Sequence, residues 1–238
     1  MIAAAVPGRR LAGRRCVITG ASRGIGAAIA RVFASEGATL GLTARTGVDL
    51  ARLADELRAV GATVAWAVAD IAIAAEVNRA AAELRAALGP FDTVVNNAGI
   101  VVRKPTHELT DDEWRRMMAV NLDGPFYVTR AFAADLRASR GRLINIASIA
   151  GRQGTPLLAS YCASKHGLVG LTRAVAEEWR GEVAVNAICP GSVDTDMLRQ
   201  GMPGAPPAMT ADDVAAAALF LAAEAPAAMT GSCLDVFG

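Results

Sequence analysis

A glycine-rich turn between an apolar run and a helical run constrains this chain more than any other stretch. Arg15-Cys16-Val17-Ile18-Thr19 is a short apolar run that ends at Gly20. It reads as a buried strand. From about Gly24 to Glu36 the apolar residues Ile25, Ile29, Val32 and Phe33 recur at helical spacing, and Gly37 stops the pattern. Between the two lies Thr19-Gly20-Ala21-Ser22-Arg23-Gly24-Ile25-Gly26. Glycines there permit a tight turn, close approach of the backbone to a pyrophosphate, and close helix–strand packing. The helix start adds free N–H groups and a partial positive charge that suit a phosphate. The plainer reading is an ordinary strand–helix turn.

The alternation continues along the chain. Strands are predicted at 39–43, 63–69, 92–96, 141–147, 183–189 and 232–236. Helices are predicted at 50–60, 73–88, 160–180 and from Thr210 to about Glu224. Another starts at Thr110, with Glu113 completing a capping box, and runs to about Ser139 with a break near Asn121. Strands that alternate with helices imply an α/β fold, a doubly wound parallel sheet of about seven strands with helices on both faces. No linker or repeat divides the chain, so residues 1–238 are expected to form a single domain. Within it, 1–13 reads as a frayed lead-in and 196–209 as a short loop rich in Gly and Pro.

Charge and composition exclude several classes. Lys and Arg total 24 against 23 acids, for a net charge of +1, and no basic tract stands out, which argues against nucleic acid. Arg9, Arg10, Arg14 and Arg15 flank the first strand and read as solvated. No run of about 18 apolar residues predicts a membrane span. Cys16, Cys162, Cys189 and Cys233 are far apart in sequence and form no C-x-x-C pair. Reduced packing thiols in a cytoplasmic protein, with neither metal nor disulfide, are the expectation.

Composition also picks out one pair. The chain has two tyrosines, Tyr127 and Tyr161, and two lysines, Lys104 and Lys165. Tyr161 and Lys165 are four residues apart, so on a helix they share a face. A positive charge at ~4 Å and an effective dielectric of ~20 is worth about 4 kcal/mol, enough to draw a phenol toward neutral pH. That would suit a general acid. An exposed Tyr and Lys on a helix surface is the alternative. His166 follows Lys165 but faces another side of the helix, and His107 reads as a solvated loop residue.

The turn T-G-x-x-x-G-x-G resembles the fingerprint of the short-chain dehydrogenase/reductase family. The resemblance extends in order through Asn96-Asn97-Ala98-Gly99, Asn121, Ser148, Tyr161-x-x-x-Lys165 and Pro190-Gly191-Ser192-Val193-Asp194-Thr195. It implies a Rossmann fold and a nicotinamide cofactor. It implies that Tyr161 moves a proton to or from the substrate oxygen and that Ser148 orients the carbonyl. Lys165 would lower the Tyr161 pKa and bind the nicotinamide ribose, and Asn121 would support a water that links Lys165 to solvent.

For the cofactor, the resemblance assigns Gly20, Ser22, Arg23, Gly24, Ile25 and Gly26 to the turn, and Asp70 and Ile71 to the adenine. Asn97, Ala98, Gly99, Pro190 and Gly191 would line it, and Val193 and Thr195 would hold the carboxamide end. The second strand ends Thr43-Ala44-Arg45-Thr46, with no acid before Asp49. An acid there would repel a 2′-phosphate. Arg45, joined by Arg23, would instead pair with one, so NADP(H) is expected in preference to NAD(H).

Substrate contacts are expected at Ile149, Arg152, Gln153, Leu157, Val193 and Met197, under an open or mobile cover. Family members similar to this chain reduce 3-oxoacyl thioesters on a carrier protein. Arg137, Arg140 and Arg180 would then meet an acyl carrier protein. Three functions are in view: an NADPH-dependent carbonyl reductase, an alcohol, diol or sugar dehydrogenase, and a non-catalytic nucleotide-binding protein. The resemblance further implies a homo-oligomer, tetramer or dimer, through the two long helices.

Overall fold

The computed structural model describes residues 9–237. Seven strands form one parallel sheet: β1 Arg15–Thr19, β2 Thr39–Ala44, β3 Val64–Val68, β4 Thr93–Asn96, β5 Arg142–Ile146, β6 Ala184–Pro190 and β7 Cys233–Val236. Their order is β3-β2-β1-β4-β5-β6-β7. Strands β1, β4, β5 and β6 are almost wholly buried, as both-face coverage requires. One face is covered by α1 Gly24–Ser35, α2 Gly47–Ala59 and α8 Ala211–Leu219. The other is covered by α3 Ala74–Leu88, α5 Gly124–Ser139 and α6 Ala159–Glu178. The strand order reverses between β1 and β4. A crevice opens at such a switch point, beyond the carboxyl ends of the strands.

Three local features differ from the sequence expectation. Residues 9–13 are anchored rather than frayed: Leu11 is fully buried, and Arg10 pairs with Glu36 and Glu224. The rest of the expected lead-in, 1–8, lies outside the described residues. The helix from Thr110 does not break at Asn121. Helix α4 Asp111–Met118 passes through a π turn, Ala119–Asp123, straight into α5. Pro125 has no N–H for the carbonyl four residues back, that of Asn121, so the bonding pattern shifts there.

The third difference lies in 196–209. Thr195 caps a six-residue helix, α7 Asp196–Gly201, by accepting the Leu198 N–H. The remaining residues run on to Thr210, whose capping box with Asp213 starts α8.

Candidate functional site

The crevice at the switch point is a cleft of about 980 Å³, at the upper end of the ~300–1,000 Å³ common for ligand sites. The glycine turn forms its floor. Gly20 has φ +63°, and a Cβ on it would lie 2.7 Å from Ala98 Cα. A Cβ on Gly26 would lie 2.4 Å from the Gly20 carbonyl oxygen. Neither position has room for a side chain. The Asn97 side chain donates to the Thr19 and Gly20 carbonyls at 2.9 and 3.2 Å, and Thr19 Oγ1 accepts from the Asn97 and Ala98 N–H groups. These bonds lock the end of β4 onto the turn. At the start of α1, Arg23 makes no capping bond through its side chain, and the first turn holds no acid. Its N–H groups and partial positive charge are left to the cleft, which fits a pyrophosphate.

Catalytic candidates gather where β5 and α6 meet. Tyr161 and Lys165 are 9% and 4% exposed, and the Lys165 Nζ stands 5.7 Å from the tyrosine ring centroid. Lys165 donates to the Ile146 carbonyl at 2.8 Å. Ser148 lines the cleft wall with Tyr161, and its Oγ accepts from the Ala150 N–H at 3.1 Å. Asn121 is fully buried behind them. Its Oδ1 accepts from the Ile100 N–H at 2.9 Å, and its Nδ2 donates to the Ile100 carbonyl, the Ser164 hydroxyl and the Met117 sulfur. Gly99 lies beside both groups: a Cβ built on it would stand 3.4 Å from Asn121 Oδ1 and 3.7 Å from Lys165 Nζ, at ordinary contact distance.

Burial sets the protonation here. It pushes the Tyr161 phenol up to about 12, with the nearby Ser148 hydroxyl acting the other way. It lowers the Lys165 ammonium to about 8. Sequence spacing suggested that lysine would draw the phenol toward neutrality. That expectation counted only the attraction of a nearby charge, and desolvation of a buried phenol outweighs it.

The adenine-side candidates meet a different environment. Arg45 is exposed on the rim. The Arg23 side chain is 75% exposed and 3.7 Å from Asp196. Burial works against ionisation of Asp70, yet hydrogen bonds from Arg116 and the Ala72 N–H, with the charges of Arg116 and Arg45, hold its carboxyl below the usual range.

The short chain dehydrogenase family model matches residues 14–204. The chain belongs to the short-chain dehydrogenase/reductase family. It is 40% identical to galactitol 2-dehydrogenase (L-tagatose-forming) of Cereibacter sphaeroides, over 96% of this chain and 95% of that one. It is 37% identical to acetoacetyl-CoA reductase of Paracoccus denitrificans, over 91% and 93% of the two chains. The crystal structure of a gluconate 5-dehydrogenase from Burkholderia cenocepacia J2315 in complex with NADP and tartrate aligns with a TM-score of 0.90. The identity is 35%, and the alignment covers 97% of this chain and 96% of that one. As a short-chain dehydrogenase/reductase, the chain is an NAD(P)-dependent oxidoreductase acting on CH–OH or C=O groups of a small molecule.

Of the residues expected to contact cofactor or substrate oxygen, the cleft brings together all but Gly26 and Asn121, which lie beneath its wall. Ile149, Val193 and Met197 also line it, whereas Arg152, Gln153 and Leu157 do not. Arg152 turns away to Asp235, at 3.5 Å. Leu157 has φ +66°, and its carbonyl accepts from the Lys104 N–H. Thr155 and Leu158 line the cleft instead. Leu158 is the residue that precedes the first turn of α6, three positions before Tyr161. Arg116 also lines the cleft, and nothing in the sequence set it apart from the other arginines.

Both histidines lie away from the cleft lining: His166 Nδ1 meets the Cys162 carbonyl at 2.9 Å, and His107 is 83% exposed. The sheet brings Cys189 and Cys233, distant in sequence, onto neighbouring strands β6 and β7, where both thiols are free. Among the described residues, no group of three or more His, Cys, Asp or Glu is placed to hold a metal ion. Among them, too, no helix is long and apolar enough to cross a membrane.

Proposed function

We propose that this protein is an NADPH-dependent carbonyl reductase with Tyr161 as the proton donor. The observation that carries this is the placement of Tyr161, a buried phenol that shares the cleft wall with Ser148 and Lys165 and that burial favours in its protonated form. A protonated donor suits reduction, in which the carbonyl oxygen gathers negative charge. Ser148 orients that oxygen and shares its charge. When bound, the nicotinamide supplies the hydride. Lys165 holds the ribose and maintains positive charge beside the phenol, and Asn121 fixes the Ile100 backbone and supports the proton path from solvent.

The turn Gly20 to Gly26 takes the pyrophosphate, with Ser22 and Ile25 at the helix start. Asn97, Ala98, Gly99, Pro190 and Gly191 line the middle. Val193 and Thr195 take the carboxamide, and Asp70 and Ile71 the adenine. Arg45 and Arg23 favour a 2′-phosphate, with no acid at the end of β2 to oppose it. Ile149, Leu158 and Met197 give the substrate side a largely apolar wall, which suits an acyl or alkyl ketone.

A second reading is oxidation of a polyol or sugar acid, favoured by the 40% identity to galactitol 2-dehydrogenase. An acyl carrier protein has less support, because Arg137 pairs with Glu182 and Arg180 with Glu177. We expect a homo-oligomer, dimer or tetramer, through α5 and α6. Its four free cysteines fit a reducing compartment such as the cytoplasm.

A panel of ketones with NADPH and NADH, and of alcohols and polyols with NADP and NAD, tests both readings. Faster reduction of ketones with NADPH supports the first. Activity confined to polyols with NAD would replace it with the second.

A further inference from the structure

One charged contact in the cleft lining, tighter than the 3.7 Å approach of Arg23 to Asp196, is not used by the proton and hydride chemistry. Arg115 and Arg116 are neighbours on α4. Arg115 pairs along its own helix, with Asp111 at 2.9 Å and Asp112 at 3.3 Å. Such surface pairs are worth little. Arg116 instead pairs with a residue 46 positions back in sequence: its Nη2 donates to Asp70 Oδ2 at 2.6 Å. The same carboxylate accepts from the Ala72 N–H through Oδ1, at 3.0 Å. Its own N–H donates to Glu76 Oε2 at 2.8 Å. Asp70 is therefore gripped on both oxygens and at its backbone. A carboxylate oxygen accepts more than one hydrogen bond, so each keeps capacity for a donor in the cleft.

We propose that Arg116 is a positioning residue for cofactor binding: it fixes the Asp70 carboxylate in the orientation that accepts the amino group of adenine. The inference rests on the cofactor reading above, in which Asp70 meets the adenine. Two further observations support it. Arg116 and Asp70 both line the cleft, so the contact faces the ligand site and not bulk solvent alone. The next residue on α4, Met117, is fully buried and touches Asn121 with its sulfur at 3.0 Å. One short helix thus braces Asp70 at one end of the cleft and Asn121 at the other.

The test is equilibrium binding by calorimetry on the full chain, with NADPH and with reduced nicotinamide mononucleotide, which lacks adenine. In Arg116→Ala, NADPH binding should weaken about tenfold, the scale of one hydrogen bond to a charged group. Binding of the mononucleotide should not change. Arg116→Lys keeps a charged donor and should recover part of the loss. In an Asp70→Asn background, Arg116→Ala should cost little more. Equal losses for both ligands would mean general damage to the fold and would overturn the proposal. So would an undiminished loss in the Asp70→Asn background, which would make Arg116 a direct cofactor contact. Wild-type protein that bound neither NADPH nor NADH would instead sink the cofactor reading, and this inference with it. Unchanged NADPH binding in Arg116→Ala would sink this inference alone.

Discussion

The two ends of the cleft work in different solvents. At one end Tyr161, Lys165, Ser148 and Asn121 are all buried, and Lys165, Ser148 and Asn121 bond to neighbouring backbone or side chains. There, desolvation decides which groups carry charge. At the other end Arg23 and Arg45 stand in water, and hydrogen bonds from Arg116 and the Ala72 N–H, with the charges of Arg116 and Arg45, together outweigh the burial cost of the Asp70 carboxylate. Salt screens exposed charges separated by more than about 8–10 Å, and screens buried ones much less. The difference implies that single changes at the buried end act on chemistry and are severe. Changes at the exposed end tune affinity and depend on ionic strength.

The largest expected effect is at the buried end. Tyr161→Phe removes the proton donor and should lower kcat by about a thousandfold, the scale of general acid catalysis. Cofactor binding should remain, as read by NADPH fluorescence. Turnover within tenfold of wild type would remove the tyrosine from the mechanism.

Next comes the proton on Lys165. With two lysines in the chain, isotope-labelled lysine and a Lys165→Arg variant assign its resonance. It should titrate near 8, against an ordinary value of 10.5. The folded value lies below the unfolded one, so the folded state releases this proton first. Burying the charged form costs stability below about pH 8, and this group's contribution should rise with pH between about 8 and 10.5. A titration at the ordinary value would mean that the buried end is wetter than the structure indicates.

The floor of the cleft sits between the two ends. Gly26→Ala sets a Cβ against the Gly20 carbonyl, which cannot step aside as a flexible side chain would. A loss of about 1–3 kcal/mol in urea denaturation is expected, with weaker NADPH binding. The smallest effect belongs to the rim. Arg45→Ala should weaken NADPH binding by about fivefold at most, leave NADH unchanged, and fade as salt is added. Equal losses for both cofactors at any salt would break the contrast between wet and dry ends.

Much of this was legible beforehand. The glycine turn was readable because its constraint is local: a strand, a tight turn and a helix lie consecutively between Arg15 and Ser35. The same holds for the capping box at Thr110 and for the shared face of Tyr161 and Lys165. Arg116 was not legible, because its partner Asp70 lies 46 residues away and no local pattern marks it. Arg152 misled for a related reason. Its place after Ser148 suggested the substrate, but its partner Asp235 comes from the far end of the chain. The short helix α7 was hidden by the Gly and Pro around it, although Thr195 is an ordinary N-cap.

By itself the sequence determined the alternation of strands and helices, the turn, and which side chains share a helix with Tyr161. These follow from periodicity and steric limits that act over one or two turns of chain. The tertiary structure alone decided the protonation of Tyr161 and Lys165, the turning away of Arg152 and the pairing of Asp70 with Arg116. Those depend on burial and on partners distant in sequence. Desolvation has no local signature, since it is a property of whatever the folded chain packs around a group.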